Sequence, residues 1–231
     1  MDGEYGLPVS KLLWIGEPGH KWQNYAALGL TAEHIPELFR LFREPWLKDE
    51  DSDLPKVWAP AHAWRALTEL HAPGLLDATL NRLDTFDDDW WEDQFLADFP
   101  GVASRIGPSA LPALGEYIRD PQKLAQNRAL IADAIAAVAR AHSEVRRTAI
   151  ATIEQLLAQH TENPTEVNST AIVGLVDLGS RDSISLIRDT MHSGRVDEMI
   201  TDRLEQIEFD LGYRDRPPER RSWRFRRADD D

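Results

Sequence analysis

The chain has 231 residues, and 42% of them are hydrophobic, which is enough to build a continuous core. It contains no cysteine, so disulfide bonds, thiolate metal sites and cysteine nucleophiles are excluded. The formal net charge is −14; residues 214–231 hold seven Arg and five acidic residues, a net of +2, which leaves −16 on residues 1–213. A body this acidic repels phosphate backbones, which argues against nucleic-acid binding by residues 1–213.

The first 56 residues are rich in Trp, Gly and Pro and contain one clear helical pattern. Thr31 is the expected N-cap of that helix, and its apolar face comprises Ile35, Leu38, Phe39 and Phe42. Residues 44–56 are predicted to form an exposed connection. We therefore expect residues 1–56 to form an N-terminal helical cap packed on the repeats, because the end units of helical stacks are commonly atypical.

The apolar run at residues 12–15 is far too short for a signal-peptide core or a membrane span. The absence of cysteine agrees with a reducing compartment. The sequence therefore predicts a cytoplasmic protein without a membrane partner.

Four helix-ending turns recur along the rest of the chain at nearly constant spacing. The turn residues are His71, Gly107, His142 and Gly179, and they are separated by 36, 35 and 37 residues. Apolar residues at helical spacing precede and follow each turn. A period of this length is typical of stacked helical pairs. The pattern predicts an all-α protein with about four helical pairs in residues 57–213.

A last helix is expected to close the stack. Residues 194–197 are predicted to open it, and its apolar face carries Ile200, Leu204, Ile207 and Leu211. Residues 214–231 are then expected to form a disordered, Arg-rich tail. Within that tail, residues 220–227 could instead contact an acidic partner, nucleic acid or the acidic body of the chain.

Several segments resemble HEAT-like repeat proteins, including those with repeats of the phycobilisome-lyase type. They are residues 59–67, 88–90, 106–114 and 194–197, together with residues 12–30, which look like the start of uncharacterised bacterial HEAT-repeat proteins. The resemblance covers residues 12–213 and implies a short right-handed α-solenoid with capping segments. The resemblance also suggests an analogy with two enzyme classes that are built from HEAT repeats, the bilin lyases and the alkylpurine DNA glycosylases. The glycosylase analogy conflicts with the acidic body, since DNA requires a basic surface.

The densest acidic cluster surrounds Trp90 and Trp91. It lacks the central Gly and the distal bidentate Glu of a twelve-residue calcium loop, so a metal site is disfavoured. Asp88 or Asp89 could cap a helix that begins near Trp90. An exposed Trp ringed by carboxylates could also receive a basic partner segment through ion pairs and cation–π contact.

Three further residues are candidates for binding, each with a structural alternative. Trp22 and Trp46 lie in polar or Pro-flanked surroundings and could line a groove, although large aromatic side chains more commonly build cores. His62 stands near Trp58, Trp64 and Arg65, but a hydrogen-bonded structural histidine is the commoner case.

No nucleophile motif, phosphate-binding Gly loop or metal-binding His pattern occurs in the sequence. We therefore expect a non-catalytic scaffold, or an assembly or regulatory subunit, without a cofactor or metal, that binds a basic protein or peptide on an acidic concave face built from the second helices. A bilin lyase-like enzyme or chromophore chaperone is the alternative. The candidate contacts are Asp88, Asp89, Trp90, Trp91, Glu92, Asp93, Glu116 and Tyr117, with His62, Trp22 and Trp46 in addition.

Overall fold

The computed structural model describes residues 5–44, 55–85 and 92–218. Within these ranges the chain is helical and contains no β-strand. The helices are α1 (Ile35–Phe42), α2 (Ala59–Glu69), α3 (Leu75–Leu83), α4 (Glu92–Ile106), α5 (Leu111–Arg119), α6 (Ala125–Ala141), α7 (Arg146–Leu157), α8 (Thr165–Asp177), α9 (Ile184–His192) and α10 (Leu204–Asp210).

The four turns predicted from the sequence follow the ends of α2, α4, α6 and α8. Gly107 and Gly179 have φ angles of 84° and 56°, in the left-handed region that glycine enters without a steric penalty. Ser180 donates its backbone N–H to the carbonyl of Leu175, so the turn after α8 closes with the long hydrogen bond of a Schellman motif. The recurring turns are thus explained by backbone chemistry that ends helices.

Helices separated by one position in the sequence pack against each other. Helix α2 contacts α4, α4 contacts α6, and α6 contacts α8, while α7 contacts both α5 and α9. Between consecutive pairs, α5 also packs on α6 and α7 on α8, and within a pair α6 packs on α7. Helix α6 is enclosed by these neighbours, and residues 134–139 are all buried. Residues 134–139 of α6 therefore lie in the interior of the molecule.

The N-terminal residues pack on the start of this arrangement. A short 3-10 helix at Val9–Trp14 contacts α2, and α1 also packs on α2. Trp64 is fully buried there, stacks on Phe95 of α4 with ring centroids 4.3 Å apart, and donates its indole N–H to the hydroxyl of Thr79 of α3 at 2.9 Å. This aromatic contact joins α2, α3 and α4 in one core.

The last helix begins later than its apolar pattern predicts. Helix α10 starts at Leu204, and Ile200 lies outside it with 42% of its surface exposed. Asp197 accounts for the difference, because its carboxylate accepts the backbone N–H of Met199 and its carbonyl accepts that of Thr201. An Asx turn at this point competes with helix formation.

The described chain also continues in an ordered way beyond the predicted start of the tail. The guanidinium of Arg214 lies 2.6 Å from the carboxylate of Glu208 on α10, and Tyr213 donates its hydroxyl to the carbonyl of Arg181. Residues 219–231, including the basic stretch 220–227, lie outside the described residues.

Candidate functional site

The N-terminal segment of residues 16–26, which we call the strap, runs across α2 and α4. His62 of α2 forms its first anchor: the imidazole Nε2 donates to the carbonyl of Gly16 at 2.8 Å, and Nδ1 accepts the hydroxyl of Tyr25 at 2.8 Å. His62 and Tyr25 are both fully buried. Both ring nitrogens of His62 are therefore used within the chain.

Arg65 of α2 is the second anchor and a buried charge. Its guanidinium forms a bidentate pair with Asp98 of α4, with N–O distances of 2.6 and 2.9 Å. A further N–H donates to the strap carbonyl of Gly19 at 2.9 Å. The side chains of Arg65 and Asp98 are 1% and 10% exposed, so the pair satisfies two charges that would be costly to bury alone.

The ends of α2 and α4 hold the strap through a carboxylate and a cation. Glu69 of α2 accepts two consecutive backbone N–H groups, from Tyr25 at 3.1 Å and from Ala26 at 2.9 Å. Arg105 of α4 lies over the ring of Trp22, 4.1 Å from its centroid. Arg65 also faces that ring, at 5.3 Å. The end of α2 therefore binds the backbone of the strap, and the end of α4 binds its Trp22 side chain.

Burial sets the protonation of this network. Desolvation lowers the pKa of His62, although the hydrogen bond to Gly16 opposes the shift, and Arg65 lowers it further. Desolvation likewise raises the pKa of Tyr25 well above its ordinary value. The network therefore holds a neutral imidazole and a protonated phenol, which are the forms that its hydrogen bonds require.

Four side chains that hold the strap, directly or through Arg65, occupy repeated positions. Counted back from the turn residue that follows each helix, His62 and Glu69 are nine and two residues before the turn on α2. Asp98 and Arg105 hold these two positions on α4. On α6 and α8 the same two positions are occupied by Asp133, Arg140, Thr170 and Asp177.

On α6 and α8 these positions carry a charged cluster at the surface. Arg140 lies 2.7 Å from Asp177 across the two helices and 3.4 Å from Asp133 on its own helix. The three side chains are between 41% and 47% exposed. On α2 and α4, His62 is buried, Glu69 and Asp98 are half-buried and Arg105 is exposed. On α6 and α8 the charged side chains at these positions face solvent.

Two cavities lie along the edge of the molecule that carries the inter-helix turns. A cavity of about 370 Å³ lies between the turns after α2 and α4, and one of about 710 Å³ lies between the turns after α6 and α8. Between them His142 donates from Nε2 to the carbonyl of Ser104 at 2.9 Å. Its ring lies against Gly107 and closes the gap between the second and third turns.

The larger cavity is polar and carries both signs of charge. Its charged lining residues are Glu144, Arg146, Arg147, Glu154 and Asp182. Arg146 donates to the carbonyl of Leu178, and Glu154 accepts the hydroxyl of Ser183 at 2.6 Å. Arg146 and Glu154 therefore join α7 to the end of α8 and to the turn that follows it.

The sequence-predicted binding residues other than Tyr117 separate into three groups. Asp88, Asp89, Trp90, Trp91 and Trp46 lie outside the described residues. Glu92 begins α4, and Asp93 and Glu116 are exposed, on α4 and α5. Trp22 and His62 both belong to the strap contacts, so in this structure they serve the chain's own N-terminal segment and do not line a free groove.

Tyr117 is placed differently from the prediction. It is 7% exposed, and its hydroxyl donates to the carboxylate of Asp84 at 2.6 Å. The amide of Asn127 and the ammonium of Lys123 also contact it. Helix α5 turns this side chain toward the end of α3, so Tyr117 is not available as a surface contact.

Sequence reasoning did not single out Tyr25, Glu69, Asp98 and Arg105. The signal that could have found three of them is the repeat register, because Glu69, Asp98 and Arg105 stand at fixed distances before the turn residues. These positions carry a polar or charged side chain in all four repeats, which indicates that they are not used for apolar core packing. Tyr25 has no comparable signal, since the strap has no periodic pattern.

The chain matches no protein-family model, no curated protein and no solved structure. The residues that the structure describes contain no group of three His, Asp or Glu placed to hold a metal ion. In the same part of the chain, no helix combines the length and apolar character needed to cross a membrane.

Proposed function

We propose that this protein is a non-catalytic scaffold that binds a basic protein or peptide. In this proposal the helical pairs form a short right-handed α-solenoid of the HEAT-like type. The order of contacts α2–α4–α6–α8 and α5–α7–α9 supports that arrangement. The acidic body supports a basic partner through charge complementarity.

The observation that carries the proposal is the strap. An irregular segment lies across two neighbouring helices. A carboxylate accepts the backbone N–H groups where its 3-10 helix Ala26–Leu28 begins, a guanidinium donates to one of its carbonyls, and a cation lies over its aromatic ring. These contacts bind backbone groups and an aromatic ring, which a segment of a partner protein can also present. A surface able to hold its own segment in this way has the chemistry needed to hold a partner's segment.

Affinity purification of the full-length chain from the cells that produce it, followed by mass spectrometry, tests the function. We expect a protein with an Arg- or Lys-rich segment to be enriched and to be released by salt, because exposed ion pairs are screened. The absence of any enriched protein after mild cross-linking would contradict a scaffold role.

The acidic cluster around Trp90 and Trp91 gives a specific test of where the partner contacts the chain. The combined substitution Asp88→Ala, Asp89→Ala and Trp91→Ala should reduce recovery of the partner if this cluster is the contact surface. The matched control is Asp77→Ala with Asp189→Ala, which removes two exposed carboxylates on α3 and α9. Equal recovery with both variants would remove the cluster from the binding surface and leave the scaffold role in place.

A further inference from the structure

The C-terminal end of the described chain is fixed at the rim of the larger cavity. The guanidinium of Arg181 donates to the carbonyl of Gly212 at 3.2 Å, and the carbonyl of Arg181 accepts the hydroxyl of Tyr213 at 3.1 Å. The neighbours of Arg181 in sequence, Ser180 and Asp182, both line the cavity between the turns after α6 and α8. The chain that follows residue 213 therefore leaves the body of the protein beside this cavity.

This anchor places the basic stretch 220–227 within reach of the cavity. The guanidinium groups of Arg181 and Arg188 lie over the ring of Tyr213, 5.2 and 5.4 Å from its centroid, and hold the anchor in place. Residues 220–227 begin seven residues after Tyr213, and an extended chain of that length spans at most about 25 Å. A short tether of this kind gives an effective concentration on the order of 1 mM, so even a weak contact is populated.

The tethered segment and the body of the chain carry opposite charge. Residues 220–227 contain five Arg, one Trp, one Phe and no acidic residue, whereas residues 1–213 have a net charge of −16. Guanidinium groups form charge-assisted hydrogen bonds with carboxylates. The segment therefore favours a surface of the body that offers carboxylates without partners.

The lining of the larger cavity offers such groups. Asp182 is exposed and has no hydrogen-bond or ion-pair partner among the described residues. Glu144 lies 3.7 Å from His142, and 66% of its side chain is exposed. Ile150 and Ala151 add half-buried apolar residues to the same lining. The cavity has a volume of about 710 Å³, which is in the range of sites that enclose ligand groups.

We propose that residues 220–227 dock in this cavity within the same chain, an inference that goes beyond the proposed function and does not depend on it. Arg side chains of the segment pair with Glu144 and Asp182. The apolar part of the lining and the exposed guanidinium of Arg147 contact the aromatic side chains of the segment, because Arg stacks on aromatic rings.

Nuclear magnetic resonance of the full-length protein tests where the segment lies. Replacing the five Arg of residues 220–227 by Ser should change the backbone amide shifts of residues 143–154 and 180–183, which line or flank the cavity, in ¹H–¹⁵N TROSY spectra. The control Asp229→Asn with Asp230→Asn changes charge in the same tail outside the basic stretch and should shift these amides much less. Changes confined to residues 214–231 would contradict docking in the cavity.

Tryptic cleavage of the tail tests the two carboxylates. Trypsin cleaves after Arg, so the cleavage rate within residues 220–227 follows the undocked fraction of the segment. Glu144→Gln with Asp182→Asn should accelerate this cleavage by about three- to fivefold, the size expected for two exposed ion pairs. The control Glu116→Gln with Asp77→Asn removes the same charge from exposed positions on α5 and α3 and should leave the rate nearly unchanged. Thermal unfolding monitored by circular dichroism checks that both variants are folded.

Two further results would overturn the inference. Equal cleavage rates in the wild type and in the Glu144→Gln, Asp182→Asn variant would show that these carboxylates do not hold the segment. Amide shifts of the cavity residues that depend on protein concentration would place the segment on a second copy of the chain. The proposed function is independent of both results, because recovery of a basic partner from cells measures it separately.

Discussion

At the scale of single residues, Gly107 shows how the second turn packs against His142 of the third turn. Its φ of 84° is strained for a residue with a side chain, and an added Cβ would lie 3.3 Å from Nε2 of His142. We expect Gly107→Ala to lower the free energy of unfolding by about 1–2 kcal/mol, measured by urea denaturation. Gly19 is the control, because it has no atom within 4 Å of an added Cβ. An equal loss in Gly19→Ala would contradict this explanation.

His62 should make stability depend on pH. Burial lowers its pKa in the folded state from the ordinary value of 6.5. As the pH falls below 6.5, the unfolded chain binds a proton at this site and the folded chain resists doing so, so the free energy of unfolding decreases.

The variant His62→Gln isolates this contribution, because an amide can replace both hydrogen bonds without titrating. At pH 7.5 the wild type should be the more stable protein, and the difference should shrink as the pH is lowered toward 5. Urea titrations at several pH values measure it. Parallel stability curves for the two proteins would show that His62 is not the titrating group.

At the scale of helices and segments, the Arg65–Asp98 pair controls how the strap is held on α2 and α4. Arg65→Leu leaves the carboxylate of Asp98 and the carbonyl of Gly19 without their donor. We expect it to lower the free energy of unfolding by about 3 kcal/mol, as removal of one partner of a buried pair does. Urea denaturation measures the loss.

The double variant Arg65→Leu with Asp98→Leu provides the control for that loss. Removing both charges eliminates the uncompensated carboxylate, so the double variant should be more stable than Arg65→Leu alone. Additive losses in the cycle would show that the two side chains act independently.

The sequence predicted the helices well because their ends depend on local chemistry. His71, Gly107, His142 and Gly179 terminate helices through backbone conformations and hydrogen bonds that lie within a few residues. The same reasoning placed the start of the last helix too early, since it did not include the Asx turn at Asp197. Local competition of this kind is visible in the sequence only when each polar residue is considered as a backbone partner.

The strap could not be predicted from periodicity. Its contacts join residues far apart in sequence, such as Tyr25 with Glu69 and Trp22 with Arg105. The burial of Tyr117 could not be predicted for the same reason, because its partners Asp84 and Asn127 are distant in sequence or on another helix. Candidate site residues chosen for their chemistry alone therefore included side chains that the tertiary structure uses internally.

At the scale of the whole molecule, neighbour-to-neighbour packing should make local stability uneven. Helix α6 is enclosed by α4, α5, α7 and α8, whereas α10 packs mainly on α9. Hydrogen exchange measured by mass spectrometry should therefore be slowest in α6 and faster in α10. Uniform protection across the described helices would indicate a single cooperative unit and contradict this expectation.

Two core substitutions extend that measurement. Ile135 of α6 and Ile207 of α10 are 0% and 2% exposed, so their truncations remove similar buried groups. Ile135→Ala should cost about 2–5 kcal/mol and accelerate exchange in α4, α6 and α8. Ile207→Ala should accelerate exchange mainly in α9 and α10. Identical exchange patterns in the two variants would contradict nearest-neighbour coupling.

The contacts of the strap also determine when it can dock during translation. Trp22 and Arg105 are 83 residues apart, so ribosomes complete the strap long before they add the cation that covers its indole. Until then the N-terminal segment lacks the part of its binding surface that α4 supplies, and the loop that must close costs entropy that grows only slowly with its length. Complete docking of the strap therefore requires that α2 and α4 have been translated and have come together.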